Sequence, residues 1–372
     1  MQKQYPFYLK TTVILLGLIL ASYILLHLAD IFVPIAFALM TAILLNPLAI
    51  FFEKKGLPKT LAITSALLIA IIVWLTISYL VFMEIGSFST ELPLFKKKLA
   101  DTAAKGQQAA SQYLGIAVTK QNQYLSEVES GMKPMLASAM GNVMGGISMA
   151  ILLPVYTFLF LYYKKLIVNF LYELFSEENE KELNIVLTQT KSAIQSYMVG
   201  LLLEGLIVAA LNSAALLIIG VKYAILLGIL GAVINVLPFI GGILAVLLPV
   251  LVATITEDGF QTQLWVIVTY IIIQFVDNHF LIPYIVSSKV KINALISIII
   301  VLLGGALWGV SGMFLSIPFI GVLKIVFDRI PELKPWGKLL GTEVPTKHNR
   351  QLARLRKKII PQPKVQSKDT AK

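Results

Sequence analysis

One four-residue string occurs twice in this chain, each time inside an apolar run too long for one straight membrane helix. Pro238-Phe239-Ile240-Gly241 interrupts the run Tyr223–Thr256, and Pro318-Phe319-Ile320-Gly321 interrupts the run Ile292–Phe327. A straight helix of either length would extend roughly 50 Å, against a hydrocarbon core of about 30 Å. Each run must break, tilt strongly or fold back. Gly and Pro stand where a break is needed: Pro238, Gly241 and Gly242 in the first run, and Gly304, Gly305, Gly309 and Gly312 in the second. Broken helices at membrane depth are tolerated only against protein or a water-filled cavity. Paired interrupted segments point to a transport site.

Of the 372 residues, 57% are hydrophobic and only 14% charged, which a soluble chain of this size cannot bury. Several runs exceed the length of a membrane span, and none alternates in the manner of a barrel strand. The expected fold is all-α: a polytopic helical membrane protein with six to eight spans and two Gly/Pro-interrupted segments in the C-terminal half, each either kinked or re-entrant. The sequence has no Cys, which excludes disulfide, thiol and iron–sulfur chemistry. The first apolar run is not followed by a small-residue cleavage site and reads as a retained span. Net charge is +11, and residues 331–372 carry 11 Lys/Arg against 3 Asp/Glu. Such a tail fits the positive-inside rule and anionic lipid better than nucleic acid. Both termini are therefore expected in the cytoplasm of a multi-pass inner-membrane protein.

Five regions follow. Residues 1–86 form a three-span scaffold, with the basic patch Glu53–Lys59 on the cytoplasmic side. Residues 87–142 are polar, with Lys96-Lys97-Lys98 and Gln121-Asn122-Gln123, and read as an extramembrane helical loop. Residues 143–196 hold the fourth span and a cytoplasmic amphipathic helix with Ser176 as its N-cap. Residues 197–330 form the core with the two interrupted runs, and 331–372 the basic tail. If both runs cross once with a kink there are eight spans. If both fold back there are six spans and two hairpins, and Ser287–Lys291 falls on the cytoplasmic side, as its two lysines prefer.

Asp277 is the first functional candidate, since an ionisable group inside a span costs several kcal/mol unless it has a task. Gln274 lies one turn before it on the same face, and Asn278 is adjacent; a carboxylate with two amides can bind a cation or carry a proton. His279 points away from that face and reads as packing. Glu204 sits inside the fifth span, with Asn212 two turns on. Asn235, Pro238, Gly241 and Gly242 would form the first break, freeing backbone groups for a ligand. Asn293, Gly304 and Gly305 allow the same reading of the second run. Each of these residues also has a purely structural reading, as a kink or an interhelical hydrogen bond.

Three strings together carry a resemblance: Asn235-x-Leu237-Pro238-Phe239-Ile240-Gly241; Gln274-x-x-Asp277-Asn278 followed by Pro283; and Gly304-Gly305-x-Leu307-x-Gly309-x-x-Gly312 leading to Pro318. In order and spacing this resembles the autoinducer-2 exporter-like permeases across about 197–327. Asn46-Pro47 and Gly56-x-Pro58 upstream fit as well. The chain departs from the family pattern at Ser287-Ser288 and Ala294, where Gly and Pro are usual. The resemblance implies a homo-oligomeric secondary transporter, places Pro283 with the transport-path residues, and brings two family activities: export of a quorum signal and sodium/proton antiport.

The expected function is export of a small polar solute, autoinducer-2-like, coupled to an ion gradient. A monovalent cation/proton antiporter is the alternative, and a non-transporting membrane scaffold a further one. The lipid bilayer, a solute or cation, and the proton are the expected partners, with no cofactor and no metal site. Enzyme motifs are missing: there is no His-Glu-x-x-His, Gly-x-Ser-x-Gly or Walker loop.

Overall fold

The computed structural model describes residues 6–79, 150–175, 179–237, 241–257, 260–286 and 292–342, with the single positions 83 and 104. Apart from 104, the loop expected over 87–142 lies outside the described residues, as do Ser176, the first break's Pro238, and the tail beyond 342. The described residues are helical throughout. In chain order the helices are α1 (Phe7–His27), α2 (Ala29–Lys54), α3 (Lys59–Tyr79), α4 (Ala150–Tyr162) and α5 (Lys164–Leu174). Then come α6 (Glu180–Ile219), α7 (Ala224–Asn235), α8 (Gly241–Thr256), α9 (Gln261–Val276), α10 (Ala294–Arg329) and α11 (Lys334–Leu340). A π-helical turn, Asp277–Val286, extends α9. Five helices are long and apolar enough to cross a bilayer, and α4 with α5, bent by 61°, makes a sixth candidate. This is a polytopic helical membrane protein.

The spine of the molecule is α6. The amphipathic helix and the fifth span expected as two elements are one continuous helix of 40 residues, about 60 Å long. Glu180 and Glu182 sit in its first turn, where acids complement the exposed amides. Gly220 ends it with φ 88°, its N–H returning to Leu216 O, the left-handed cap that glycine adopts without strain. Gly200, Glu204, Val208, Asn212 and Leu216 are buried along one ridge at every fourth position. Against that side of the spine pack α7 and α9, with α8 laid on both, in a cluster of Leu216, Ala224, Leu227, Ala245, Val252 and Val266. Elsewhere Ile194 and Tyr197 of α6 meet Met40 of α2 and Leu315 of α10.

The other half of the bundle is sealed by alanine. Ala42 and Ala49 of α2 face Ile63 and Ala66 of α3, with Leu161 of α4 closing the cluster. Lipid supplies no hydrophobic drive between helices, so close backbone approach over small residues has to hold them together. Thr157 of α4 adds a buried hydrogen bond to Ala38 O at 3.4 Å.

Both long runs fold back on themselves. In the first, α7 and α8 are antiparallel: a Cβ at Gly231 would lie 3.7 Å from the Ala245 Cβ. In a continuous helix those positions would be about 21 Å apart. Gly241 makes the reversal possible, since a Cβ there would come within 2.7 Å of Asn235 Cα. The second run, α10, breaks at Trp308 and at Gly309 (φ 58°, ψ −139°), a conformation open to glycine alone. Its two arms meet where Gly304 packs on Gly312 and Ser316. Straight, residues 304 and 316 would be about 18 Å apart. Trp308 at the bend donates to Leu25 O near the end of α1, at 2.8 Å. The base of this hairpin is tied by Asn293 and α11. Of the two chain paths the sequence allows, the described residues take the one with two hairpins.

Candidate functional site

Helix α9 does not stay regular through its polar cluster. Pro283 has no N–H for the His279 carbonyl, and its ring crowds that carbonyl, so the wider π turn relieves the clash. Asp277 opens that turn and is fully buried. Its Oδ2 accepts a hydrogen bond from Asn235 Nδ2 at 2.8 Å, the last residue of α7. The Gln274 carboxamide points Nε2 at the same oxygen and at Asn278 Oδ1, at 3.4 Å each. Asp277 Oδ1 is buried with no partner among the described residues. A methyl at Gly242, the second residue of α8, would overlap the Gln274 carboxamide. The two ends of the first break therefore close around the α9 cluster.

From the spine comes a second acid. Glu204 is 5% exposed, inside the bundle rather than at its edge, and near enough to Asp277 for their charges to interact. One turn before it begins a polar vestibule of about 420 Å³, lined by Ser192, Gln195, Ser196, Gly200 and Leu203 of α6 and Ile285 of the π turn. Residues 204 and 277 are brought together by the antiparallel packing of α6 on α9.

Of the residues singled out from sequence, Asp277, Asn278, Gln274, Asn235, Gly241, Gly242 and Glu204 form one constellation, with Pro283 shaping the turn beneath it. Pro238 lies outside the described residues. The remaining three serve the second hairpin. Asn293 caps α10 by accepting from Ile296 N at 3.0 Å, and its Nδ2 donates to Leu339 O at 2.7 Å and Gly341 O at 3.2 Å. Its side chain is fully used in joining α10 to α11. Gly304 packs the hairpin arms, and Gly305 faces Met313. His279 binds the Phe275 carbonyl at 2.9 Å and stacks on its ring, as a packing residue does. Sequence reading missed the vestibule serines and two further buried polar residues of α9, Gln263 and Tyr270. The signal was there: Gln263, Tyr270 and Asp277 recur at intervals of seven along one face of the helix, with Gln274 beside them.

A sequence profile described as "AI-2E family transporter" matches residues 12–332. The chain belongs to this family. Relatives agree along most of their length. The AI-2 transport protein TqsA of Escherichia coli K12 is 25% identical over 308 residues, covering 81% of this chain and 86% of TqsA. YrrI of Bacillus subtilis 168, provisionally named a transport protein, is 25% identical over 315 residues, covering 80% of this chain and 85% of YrrI. YhhT of Escherichia coli K12, named in the same provisional way, is 24% identical over 314 residues, with 84% and 88% covered. As an AI-2E family transporter, the chain places its family strings at the α7–α8 break and around Asp277.

Proposed function

We propose that this AI-2E family transporter is a secondary transporter in which Asp277 and Glu204 bind the coupling ion, a proton or a monovalent cation. A small polar solute enters at the vestibule. One observation carries the reading: Asp277 is fully buried, one oxygen is held by Asn235, the other has no partner among the described residues, and a second buried carboxyl group, Glu204, lies within charge reach on the helix packed against it. Two carboxyl groups sharing a buried site hold a proton or a cation between them. The vestibule is open to its surroundings, and its serines and glutamine suit a hydroxylated solute. The name of TqsA makes autoinducer-2 the first solute to try.

The paired acids also favour a second reading, cation/proton antiport, with the cation as cargo. Orientation follows from charge. Lys59 donates to Tyr162 O, and Lys164 to Asn46 Oδ1 at 3.0 Å; Lys164 is also within charge reach of Lys191 on α6. Arg329 reaches Glu182 at 3.4 Å. The basic ends of α2, α3 and α10 and the start of α5 thus gather toward the N-terminal end of α6, and in this reading the positive-inside rule assigns that side to the cytoplasm.

The test is flux in proteoliposomes, wild type beside Asp277→Asn, with an internal pH dye, stepped Na⁺, Li⁺ or K⁺, and labelled autoinducer-2. Solute uptake that depends on an ion gradient and is lost in Asp277→Asn supports the first reading. Cation-driven proton movement without solute supports the second. Wild-type rates in Asp277→Asn remove Asp277 from the path and overturn both.

A further inference from the structure

Four buried polar atoms along the same two helices have no part in that scheme; one, Thr190 Oγ1, lies at the vestibule end of α6, and the other three further along the seam. Asn212 Oδ1 on α6, and Tyr270 Oη and Gln263 Oε1 on α9, are each buried without a partner among the described residues. In an apolar medium an orphan of this kind costs several kcal/mol, so native structures rarely leave one without a ligand. Three on one seam call for small polar occupants.

The positions form a ladder. Gln263, Tyr270 and Asp277 are seven residues apart on one face of α9, a rise of about 10 Å per step. On α6, Glu204 and Asn212 are eight apart, about 12 Å. The rows face each other in antiparallel order. Asn212 and Tyr270 meet first: a Cβ at Gly231 would lie 3.2 Å from both Asn212 Nδ2 and Tyr270 Oη, so those atoms are at most 6.4 Å apart. Glu204 and Asp277 meet next, and the vestibule opens last, against Ile285. From residue 263 to residue 285 the helix rises about 33 Å, close to the hydrocarbon thickness of about 30 Å.

What occupies the upper rung must be small. Tyr270 is set in the close-packed cluster of Leu216, Leu227, Ala245 and Val266, which leaves no passage for an organic solute. A metal cation stripped of its water needs more oxygen ligands than one amide and one phenol supply. A water molecule matches the chemistry: Asn212 Oδ1 accepts, and Tyr270 donates or accepts.

We propose that Asn212 and Tyr270 hold water in the α6–α9 seam, and that this water is one station on the proton's way between the carboxyl groups and the Gln263 end of the seam. The vestibule serves the opposite side, so solute and proton reach the acids from different ends. The inference rests on Asp277 and Glu204 as the coupling site.

Two measurements on the full chain test it. The first is X-ray hydroxyl-radical footprinting of purified protein in detergent, which labels side chains beside bound water. Tyr197 on the spine is the control, since it is the same residue type and 5% exposed against 6% for Tyr270. Tyr270 is expected to label several-fold faster than Tyr197, and Asn212→Leu to remove the difference. Equal protection of the two tyrosines overturns the water station. The second is proton movement in the proteoliposomes described above. Tyr270→Phe deletes one oxygen and is expected to slow it at least about tenfold, as loss of a positioned proton carrier does. Loss of movement in Asp277→Asn with wild-type movement in Tyr270→Phe overturns the station alone. Wild-type movement in Asp277→Asn, or none in wild type with any cation, overturns proton coupling itself, while the footprint still decides the water.

Discussion

Because the chain contains no cysteine, its first hairpin can be tested with a single engineered pair, Gly231→Cys with Ala245→Cys. A Cβ at residue 231 would lie 3.7 Å from the Ala245 Cβ, against a mean of about 3.8 Å in disulfides. The same Cβ approaches Asn212 Nδ2 and Tyr270 Oη to 3.2 Å, so both side chains must give by a few tenths of an ångström. Closing a loop of about 15 residues stabilises by about 3 kcal/mol in the chain-entropy model, less whatever strain that adjustment introduces. The assay counts free thiols with a maleimide of 5 kDa or so on a denaturing gel, after mild oxidation and again after reduction. Expected is loss of both thiols on oxidation, their return on reduction, and a higher unfolding temperature for the oxidised form. Gly231→Cys with Leu251→Cys is the control: Leu251 is about 9 Å further along α8, and its thiol should stay free. Two reactive thiols in the 231/245 pair, or equal cross-linking in the control, would refute the antiparallel arrangement of α7 and α8.

Other substitutions separate packing from the site. Gly304→Ala places a methyl on the Gly312 carbonyl and Ser316 Oγ and should destabilise by about 1–3 kcal/mol, read as a lower unfolding temperature in detergent. Gly305→Ala meets the flexible Met313 Cε at 2.6 Å and should cost clearly less in the same assay. Asn293→Ala loses the α10 cap and two bonds to α11, a cost of about 1–2 kcal/mol for the cap alone, and should leave the cation dependence of flux unchanged. Gly242→Ala pushes Gln274 away from Asp277 and should raise the cation concentration for half-maximal flux several-fold, with little change in unfolding temperature.

Much of the architecture was readable from local composition. Run length and the glycines located both breaks, because a break depends on permitted φ angles, which are properties of single residues. Gly309 is the clearest case: its φ of 58° with ψ of −139° is a demand that only its own side chain, or lack of one, can meet. Pro318-Phe319-Ile320-Gly321, expected to interrupt the second run, instead lies within the second helical arm of α10. Asp277 stood out for a similar reason, the solvation cost of one ionisable group. The division between the amphipathic segment and the fifth span was a misreading, since amphipathicity ends near residue 196 while the hydrogen-bonded helix continues to Ile219. Hydropathy reports surroundings, and a single helix can pass from water into lipid.

The sequence by itself determined an all-helical membrane chain, the two interruptions, and the polar cluster at 274–278, because each follows from residues within a few turns of one another. Only the tertiary structure decided which polar groups share a site. Glu204 meets Asp277, and Asn212 meets Tyr270, through the rotation and register of α6 against α9. That register is set by Gly200, Gly231, Ala245 and their neighbours packing across the bundle, contacts that no local periodicity specifies. Asn293 shows the converse. As a polar residue beside an interrupted run it has the profile of a ligand, and only the return of α11 onto α10 shows that its hydrogen bonds go to holding the hairpin's base.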